Sequence, residues 1–484
     1  MVEATVRHFA MPRDESRLFD VAALGLLSLW TLAFGWPLLH REGFDDAFFS
    51  EAAHLWTQGA PPYLATFDIK PPGFFALLAL AQELFGPRIE TLHGLSLACN
   101  VITVAAIYGV ARRLAAPVAG FAAAATYGPL AAFLVANDAY PPLVALVAVA
   151  FWIALSPGGA LARAALSGLV CGAAVMTKQT AVAEAAVLFV FFARGAGRLA
   201  PAVFLAAGAV APLGFFAYFA LEGGAGVFWR DVVVTALQRP DGVERVAFGV
   251  DAARIALRLS HLGLAVPLAL AGAFWPGKLS LAPDRARALV GWLAAALAAF
   301  AIQRGEGLAY LGPVMPPALL LAFLFAERGF ERAGRGLRVA AVALLSFEAA
   351  FPLRASAVRR PIDREATARA ASLVAAARPA PGDRLLALDF GGWVNIATDL
   401  APPTPYYHRM HLLCRFPDAG PPRLAEAFAA APRFVIVGRY LGARTGCDAG
   451  PSGWPIAEAA LAAGYREIGH VGGETDDLVV YERR

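Results

Sequence analysis

The sequence predicts a polytopic α-helical membrane protein with a small α/β domain at its C-terminal end, and three observations predict it. Of 484 residues, 58% are hydrophobic and 16% charged, with a mean hydropathy of +0.58. Ordinary soluble domains run near ~45–50% apolar and ~25% charged. Apolar runs long enough to cross ~30 Å of hydrocarbon recur from Leu18 onward. After Leu353 the runs shorten and mix with Pro, Gly and charges, which is the composition of a water-soluble unit. The net charge of +4 is spread over short Arg-bearing loops and not gathered on one basic face, so nucleic acid is excluded as a partner. Membrane lipids are the partners to expect.

The first run, Leu18 to about Leu39, is too long for the core of a signal peptide and is expected to stay in the mature protein. Arg7, Arg13 and Arg17 before it place the N-terminus in the cytoplasm by the positive-inside tendency, so the loop over 40–89 lies outside. Further spans are read at Thr91–Val110, Val118–Val135, Pro141–Leu155, Ala164–Met176, Thr180–Phe192, Ala200–Leu221, Ile255–Trp275, Ala288–Ile302, Leu308–Ala326 and Val339–Leu353. Under this alternation Arg112-Arg113, Arg163, Arg194, Arg198, Lys278, Arg285, Arg287 and Arg328 all fall on the cytoplasmic side. Roughly eleven spans result, which leaves the C-terminus outside as well. The domain reading is therefore a transmembrane unit over 1–354 and a soluble α/β unit over 355–484. Within the latter, helices are expected at Ile362–Ala377, Arg423–Ala430 and Pro455–Ala463, and buried strands at Arg384–Phe390, Arg433–Gly438 and Leu478–Tyr481.

Of the four cysteines, Cys99 and Cys171 lie in apolar spans as small core residues. Cys414 and Cys447 lie in the outward unit, where an oxidising compartment permits a disulfide. Whether they pair stays open, and no cysteine spacing is that of a zinc site.

The stretch from Gly43 to Gly86 carries the chemistry-bearing residues. It holds adjacent carboxylates, Asp45 and Asp46, just after the first span, and a lone lysine, Lys70, before Pro71-Pro72. Carboxylates at a bilayer edge are costly unless water, a cation or a substrate meets them, so an acidic pair and a cation in one interfacial loop mark a site. The apolar run Phe74–Phe85 is too short to span and reads as a helix along the membrane surface, with the two prolines in its first turn.

Asp45, Asp46, Glu51, Lys70, Pro71, Pro72, Phe74, Phe75, Leu84, Phe85 and Gly86 form an ordered set. It resembles the first extracytoplasmic loop of GT-C superfamily, polyprenyl-phosphate-dependent glycosyltransferases, in the bacterial branch similar to protein O-mannosyltransferases and lipid A aminoarabinose transferases (glycosyltransferase family 39-like). Phe49 stands where a Tyr is common in that pattern. The resemblance implies a GT-C-like membrane enzyme of the bacterial cytoplasmic membrane, with its site facing the periplasm. Such a hexosyl- or pentosyltransferase moves a sugar from a polyprenyl phosphate to an acceptor lipid, glycan or protein, with inversion. A membrane transporter or lipid-linked sugar flippase, or an inactive family member acting as a binding protein, is the alternative.

Under that resemblance each residue has a role. Cleavage at the anomeric carbon turns a phosphodiester into a more negative monoester, so cations belong near the departing phosphate and a carboxylate near the attacking group. Asp45 and Asp46 are the catalytic candidates, Asp45 as base, although the pair can also solvate the loop and cap the helix from Ala47. Lys70 is assigned to the lipid phosphate, against interfacial snorkelling. Lys178 ends the Gly-rich span GLVCGAAVMTKQT, where phosphate contact and simple anchoring stay equally open. Asn137-Asp138 resembles the family's second acidic loop. Asp138 with Asp45 can share a divalent metal cation, or Asp138 can simply cap the helix at Tyr140-Pro141. Gln303-Arg304, Gly307 and Tyr310 resemble the late loop, with Arg304 as a forked phosphate ligand, while Arg230, Arg239 and Arg245 can line the donor entrance. His54 and His93 read as structural.

Overall fold

The computed structural model describes residues 13–39, 41–42, 45–134, 138–195, 197–237, 248–303, 308–329, 360–361, 364–388, 392–407, 409–412, 420–438, 454–472 and 477–484. Helices dominate them. The N-terminal part runs α1 (Arg13–Gly35), α2 (Asp46–Thr57), α3 (Pro72–Phe85), α4 (Ile89–Arg113), α5 (Pro117–Leu134), α6 (Tyr140–Leu155), α7 (Ala160–Thr177) and α8 (Ala181–Gly195). It continues with α9 (Leu199–Gly208), α10 (Val210–Leu221), α11 (Ala225–Trp229), α12 (Phe248–Leu259), α13 (Ala265–Phe274), α14 (Pro283–Ile302) and α15 (Met315–Gly329).

Among the described residues, five helical stretches have the length and apolar content to cross a membrane: Arg17–Gly35, Ile89–Arg113, Ala160–Thr177, Leu199–Leu221 and Pro283–Ile302. The expected span Ile255–Trp275 is not one straight rod: its two halves, Ala252–Leu262 and Ala265–Phe274, meet at a bend of 101°. Counting that pair as one span gives six. The remaining expected spans coincide with the shorter helices α5, α6, α8 and α15, and Val339–Leu353 lies outside the described residues. Small residues let the bundle close: a Cβ on Gly168 would stand 2.3 Å from the Phe204 carbonyl oxygen, so α7 and α9 pack backbone to backbone. Across the middle, Phe151 and Trp292 stack at 4.2 Å with 8° between ring planes, joining α6 to α14.

Arg112, Arg285 and Arg328 gather at one end of this bundle. Arg285 donates to the Arg113 carbonyl, Arg328 donates to the carbonyls of Leu114 and Leu279, and Arg112 pairs with Asp20. α4 runs from Ile89 to that end, so Ile89, the start of α6 and the end of α7 belong to the opposite one.

The C-terminal part is α/β. A four-stranded sheet has the order β3 (Leu385–Ala387), β4 (Phe434–Gly438), β6 (Asp477–Arg483), β5 (Tyr465–Gly472). β3 and β4 are parallel and the other two pairings antiparallel. Every residue of β4 is buried, as a strand covered on both faces must be. α16 (Arg364–Ala376) packs one face through Ala370 and Val374. On the other face lie α19 (Gly420–Ala429) and α20 (Trp454–Gly464), through Leu424 and Leu461. Short helices α17 (Gly392–Thr398) and α18 (Arg409–Leu412) reach toward the bundle. β5 was not foreseen, because its alternation is interrupted by Gly469, where its register with β6 shifts. β1 (Arg41–Glu42) pairs antiparallel with β2 (Arg360–Pro361) beside the first loop.

Candidate functional site

Five consecutive helical positions, Asp46 to Ser50, are buried at the start of α2. Polar groups in such a place must be paired, and Asp46 is: its Oδ2 lies 2.7 Å from His93 Nε2, while His93 Nδ1 lies 2.9 Å from the Leu39 carbonyl. A carbonyl only accepts, so Nδ1 carries a hydrogen, and the Asp46–His93 bond ties α2 to α4. Gln82 donates to the Ser50 carbonyl at 3.0 Å and ties α2 to α3. Asp45, half-buried, occupies the N-cap position of α2 and makes no side-chain capping bond.

Lys70 is fixed on every side. Its N–H donates to Asp68 Oδ1 at 2.8 Å, its carbonyl accepts from the Tyr63 hydroxyl at 2.5 Å, and Nζ lies 3.5 Å from Asp68 Oδ2. Nζ also stands 4.3 Å over the Phe49 ring, which offers the lysine a π face. Gln179 donates to the carbonyls of Ile69 (2.6 Å) and Val232 (2.9 Å), pinning the same loop to the end of α7. Gly73 completes the seam, since a Cβ there would stand 2.5 Å from the Met176 carbonyl oxygen.

From the other side come α6, α7 and the turn before α15. Asp138, one residue before the Ala139 N-cap of α6, accepts at Oδ1 from Tyr140 N–H at 2.8 Å. Lys178 Nζ stands 4.2 Å over the Tyr140 ring and 5.7 Å from Tyr310. The Tyr140 hydroxyl donates to Gln303 Oε1 at 2.7 Å. Burial lifts the Asp138 carboxyl above its ordinary range against the opposing pull of Lys178 and Lys70, with Asp45 lifting it further. Burial presses Lys70 down, but Asp68, Asp45 and Asp138 outweigh it and hold its ammonium above the usual lysine range. The two lysines, Asp45, Asp138 and Tyr310 thus form one electrostatic unit at the bundle end opposite the arginines.

Glu51 stands apart from that unit. It is buried on α2, one Oε2 lacks any partner, and burial with Asp399 nearby pushes its carboxyl up to about 8. The face of α2 around it meets the C-terminal unit: Tyr407 donates its hydroxyl to the Phe48 carbonyl at 3.1 Å, and His54 and Gln58 both bond Asp399. The segment before Tyr407 holds the lysine loop, because Phe67 N–H donates to the Pro405 carbonyl at 2.9 Å and the Phe67 ring lies 4.7 Å from Tyr406. Arg230 pairs with the buried Asp231 at 2.7 Å.

Asn137, Arg304, Arg239, Arg245, Cys414 and Cys447 lie outside the described residues. Sequence reasoning passed over Asp68, Tyr63, Tyr140, Gln179 and Tyr407. Asp68 carried a signal, an acid two residues before the lysine in FDIKPP. Among the described residues no three His, Cys, Asp or Glu side chains converge as a metal site. Asp45 and Asp138 bring two carboxylates, and Lys70 and Lys178 already place ammonium charge against them. This donor set falls short of holding a divalent cation by itself.

Fold and composition together define an α-helical integral membrane protein. No family model and no curated protein sequence matches the chain. Its structure is similar to that of ArnT from Cupriavidus metallidurans bound to undecaprenyl phosphate, with a TM-score of 0.61 at 13% identity over 97% of this chain and 98% of that one. It is also similar to the oligosaccharyltransferase AglB from Archaeoglobus fulgidus in complex with an inhibitory peptide and a dolichol phosphate (TM-score 0.56, 14% identity, 89% and 70% of the chains). A third match is that oligosaccharyltransferase in complex with Zn and sulfate (TM-score 0.56, 14% identity, 87% and 68%). At these identities the likeness is one of fold, and the chain shares its fold with both proteins.

Proposed function

We propose that this chain is a membrane glycosyltransferase that moves a sugar from a polyprenyl-phosphate donor to a lipid, glycan or protein acceptor on the extracytoplasmic face. The observation that carries the reading is the meeting of Lys70 and Lys178, from distant loops, around Asp138 and beside Asp45. Two rigid cations next to a carboxylate match the charge changes of the reaction. The donor phosphate lies between the ammonium groups. Asp45 takes the proton of the acceptor hydroxyl or amine as that atom bonds the anomeric carbon. The carbon–oxygen bond to phosphate breaks, its electron pair stays on the phosphate oxygen, and the lysines meet the added charge. Attack opposite the leaving group inverts the anomeric centre.

Asp46, turned to His93, acts in this reading by holding α2 and hence Asp45. The arginine-rich end faces the cytoplasm by the positive-inside tendency, which supports a periplasmic site in a bacterial inner membrane. The polyprenyl-type lipid phosphates named for ArnT and AglB support the donor class. The test is Asp45→Asn in protein reconstituted into nanodiscs with an undecaprenyl-phosphate sugar and a panel of acceptors. Transfer should vanish while the variant inserts and melts like wild type, and near-normal turnover overturns the assignment. Transport of the lipid without cleavage of any donor would make the chain a carrier instead.

A further inference from the structure

At the bundle end opposite the lysines, α8 and α14 with the residues after α13 enclose a groove of about 760 Å³. Its walls are apolar: Ala186 and Val190 rise from α8 and Val290 and Gly291 from α14. Each helix also contributes one arginine to the lining, Arg194 from α8 and Arg287 from α14. Ala186, Val190 and Arg194 recur at i, i+4, i+8, and Asp284, Arg287 and Gly291 share the matching stripe of α14, so each helix delivers apolar wall and arginine on one face. Asp284 is paired with Arg287, and Lys278 lies beside the lining residues Pro276 and Gly277, so cations outnumber the single acid at the rim.

The groove belongs to a different leaflet from the candidate site. α8 starts at Ala181 next to Lys178, and Arg194 lies about 20 Å further along at ~1.5 Å per residue. α14 runs the other way, from Asp284 at the groove to Gln303 at the Tyr140 hydroxyl. We propose that this groove binds an anionic glycerophospholipid of the arginine-side leaflet, with its acyl chains along Ala186, Val190 and Gly291 and its phosphate on Arg194 and Arg287. A zwitterionic lipid offers the same chains but no net negative charge, and the excess of cations at the rim selects the anionic headgroup.

The test is native mass spectrometry of the full-length protein titrated with phosphatidylglycerol or phosphatidylcholine, with melting temperatures recorded for every variant. Wild type retains phosphatidylglycerol over phosphatidylcholine. R194Q/R287Q loses that preference, a fall of roughly twenty-five-fold at about fivefold per arginine, whereas R198Q, outside the groove, keeps it. V190W, at a position already 44% exposed, fills the groove and abolishes retention with both arginines present. Equal retention of the two lipids by wild type, or an unchanged preference in R194Q/R287Q, overturns the proposal. So does displacement of phosphatidylglycerol by equimolar undecaprenyl phosphate, which would give the groove to a donor lipid.

Discussion

The Lys70 ammonium rests over the face of the Phe49 ring at 4.3 Å, while Asp68 holds it from the side at 3.5 Å. A π face keeps an ammonium partly desolvated without neutralising it, so its charge remains for a ligand. Phe49→Leu should lower donor affinity roughly fivefold to tenfold, from a contact of about 1–1.5 kcal/mol, and Phe49→Tyr should retain most of it. Binding of undecaprenyl phosphate to the two variants is the measurement, and equal loss in both would remove the ring from the account.

Asp46 is held in a different way, by one proton shared with His93. An asparagine amide can donate to His93 Nε2 while Nδ1 still donates to the Leu39 carbonyl, so Asp46→Asn keeps both bonds. Asp46→Ala leaves buried polar groups unpaired and should cost about 1–3 kcal/mol. Thermal melts should therefore rank wild type and Asp46→Asn close together and Asp46→Ala well below. A reversed order would show that the charge, not the bond, is what α2 requires.

Glu51 gives the stability curve a slope. Its folded-state carboxyl titrates near 8 against an ordinary value of 4.5, so between those values the folded protein holds a proton that the unfolded chain has released. Stability then falls as pH rises from about 4.5 through 8, and the loss is complete above it. Glu51→Gln has no such proton to lose and should gain a few kcal/mol on wild type at pH 8, with the two curves meeting below pH 4.5. Parallel melting curves from pH 5 to 9 would place the wild-type carboxyl elsewhere than in a buried, unpartnered site.

The individual elements were more legible than their pairings. Helices around residues 91–110, 164–176 and 288–302 follow from apolar runs that admit one reading, whereas 255–275 reads equally well as a rod and is bent through 101°. Lys70, Asp138 and Lys178 stood out because charge at a membrane edge is costly. That Lys178 lies over Tyr140, or that Asp46 turns to His93, depends on which faces of α2, α4, α6 and α7 meet, and local pattern carries no such information. The least legible feature is the hold of Pro405 and Tyr407 on Phe67 and Phe48. Two backbone carbonyls and an N–H supply three of the four groups in those hydrogen bonds, and backbone groups leave no trace in side-chain pattern.

Lys70 separates an enzyme from a carrier. In a transferase the phosphate gains charge as the sugar leaves, and a cation held at Lys70 is worth more in the transition state than in the bound donor. In a carrier the phosphate keeps one charge throughout, and the lysine contributes only to binding. A positioned group of this kind supplies about 3 kcal/mol in the transition state, or roughly a hundredfold in rate. Because Asp68, Asp45 and Asp138 hold the ammonium charged well above neutral pH, the effect should be flat from pH 6 to 9 and separable from the titration of Glu51. Lys70→Ala should then lower the rate at saturating donor about a hundredfold while shifting donor binding by less than tenfold. Lys178, with two tyrosine rings as neighbours, should show a larger share of its effect in binding, because those rings already stabilise its charge before any chemistry occurs. If Lys70→Ala weakens donor binding and leaves the saturated rate alone, Lys70 only docks the phosphate, and the stabilisation of the departing group has to come from Lys178.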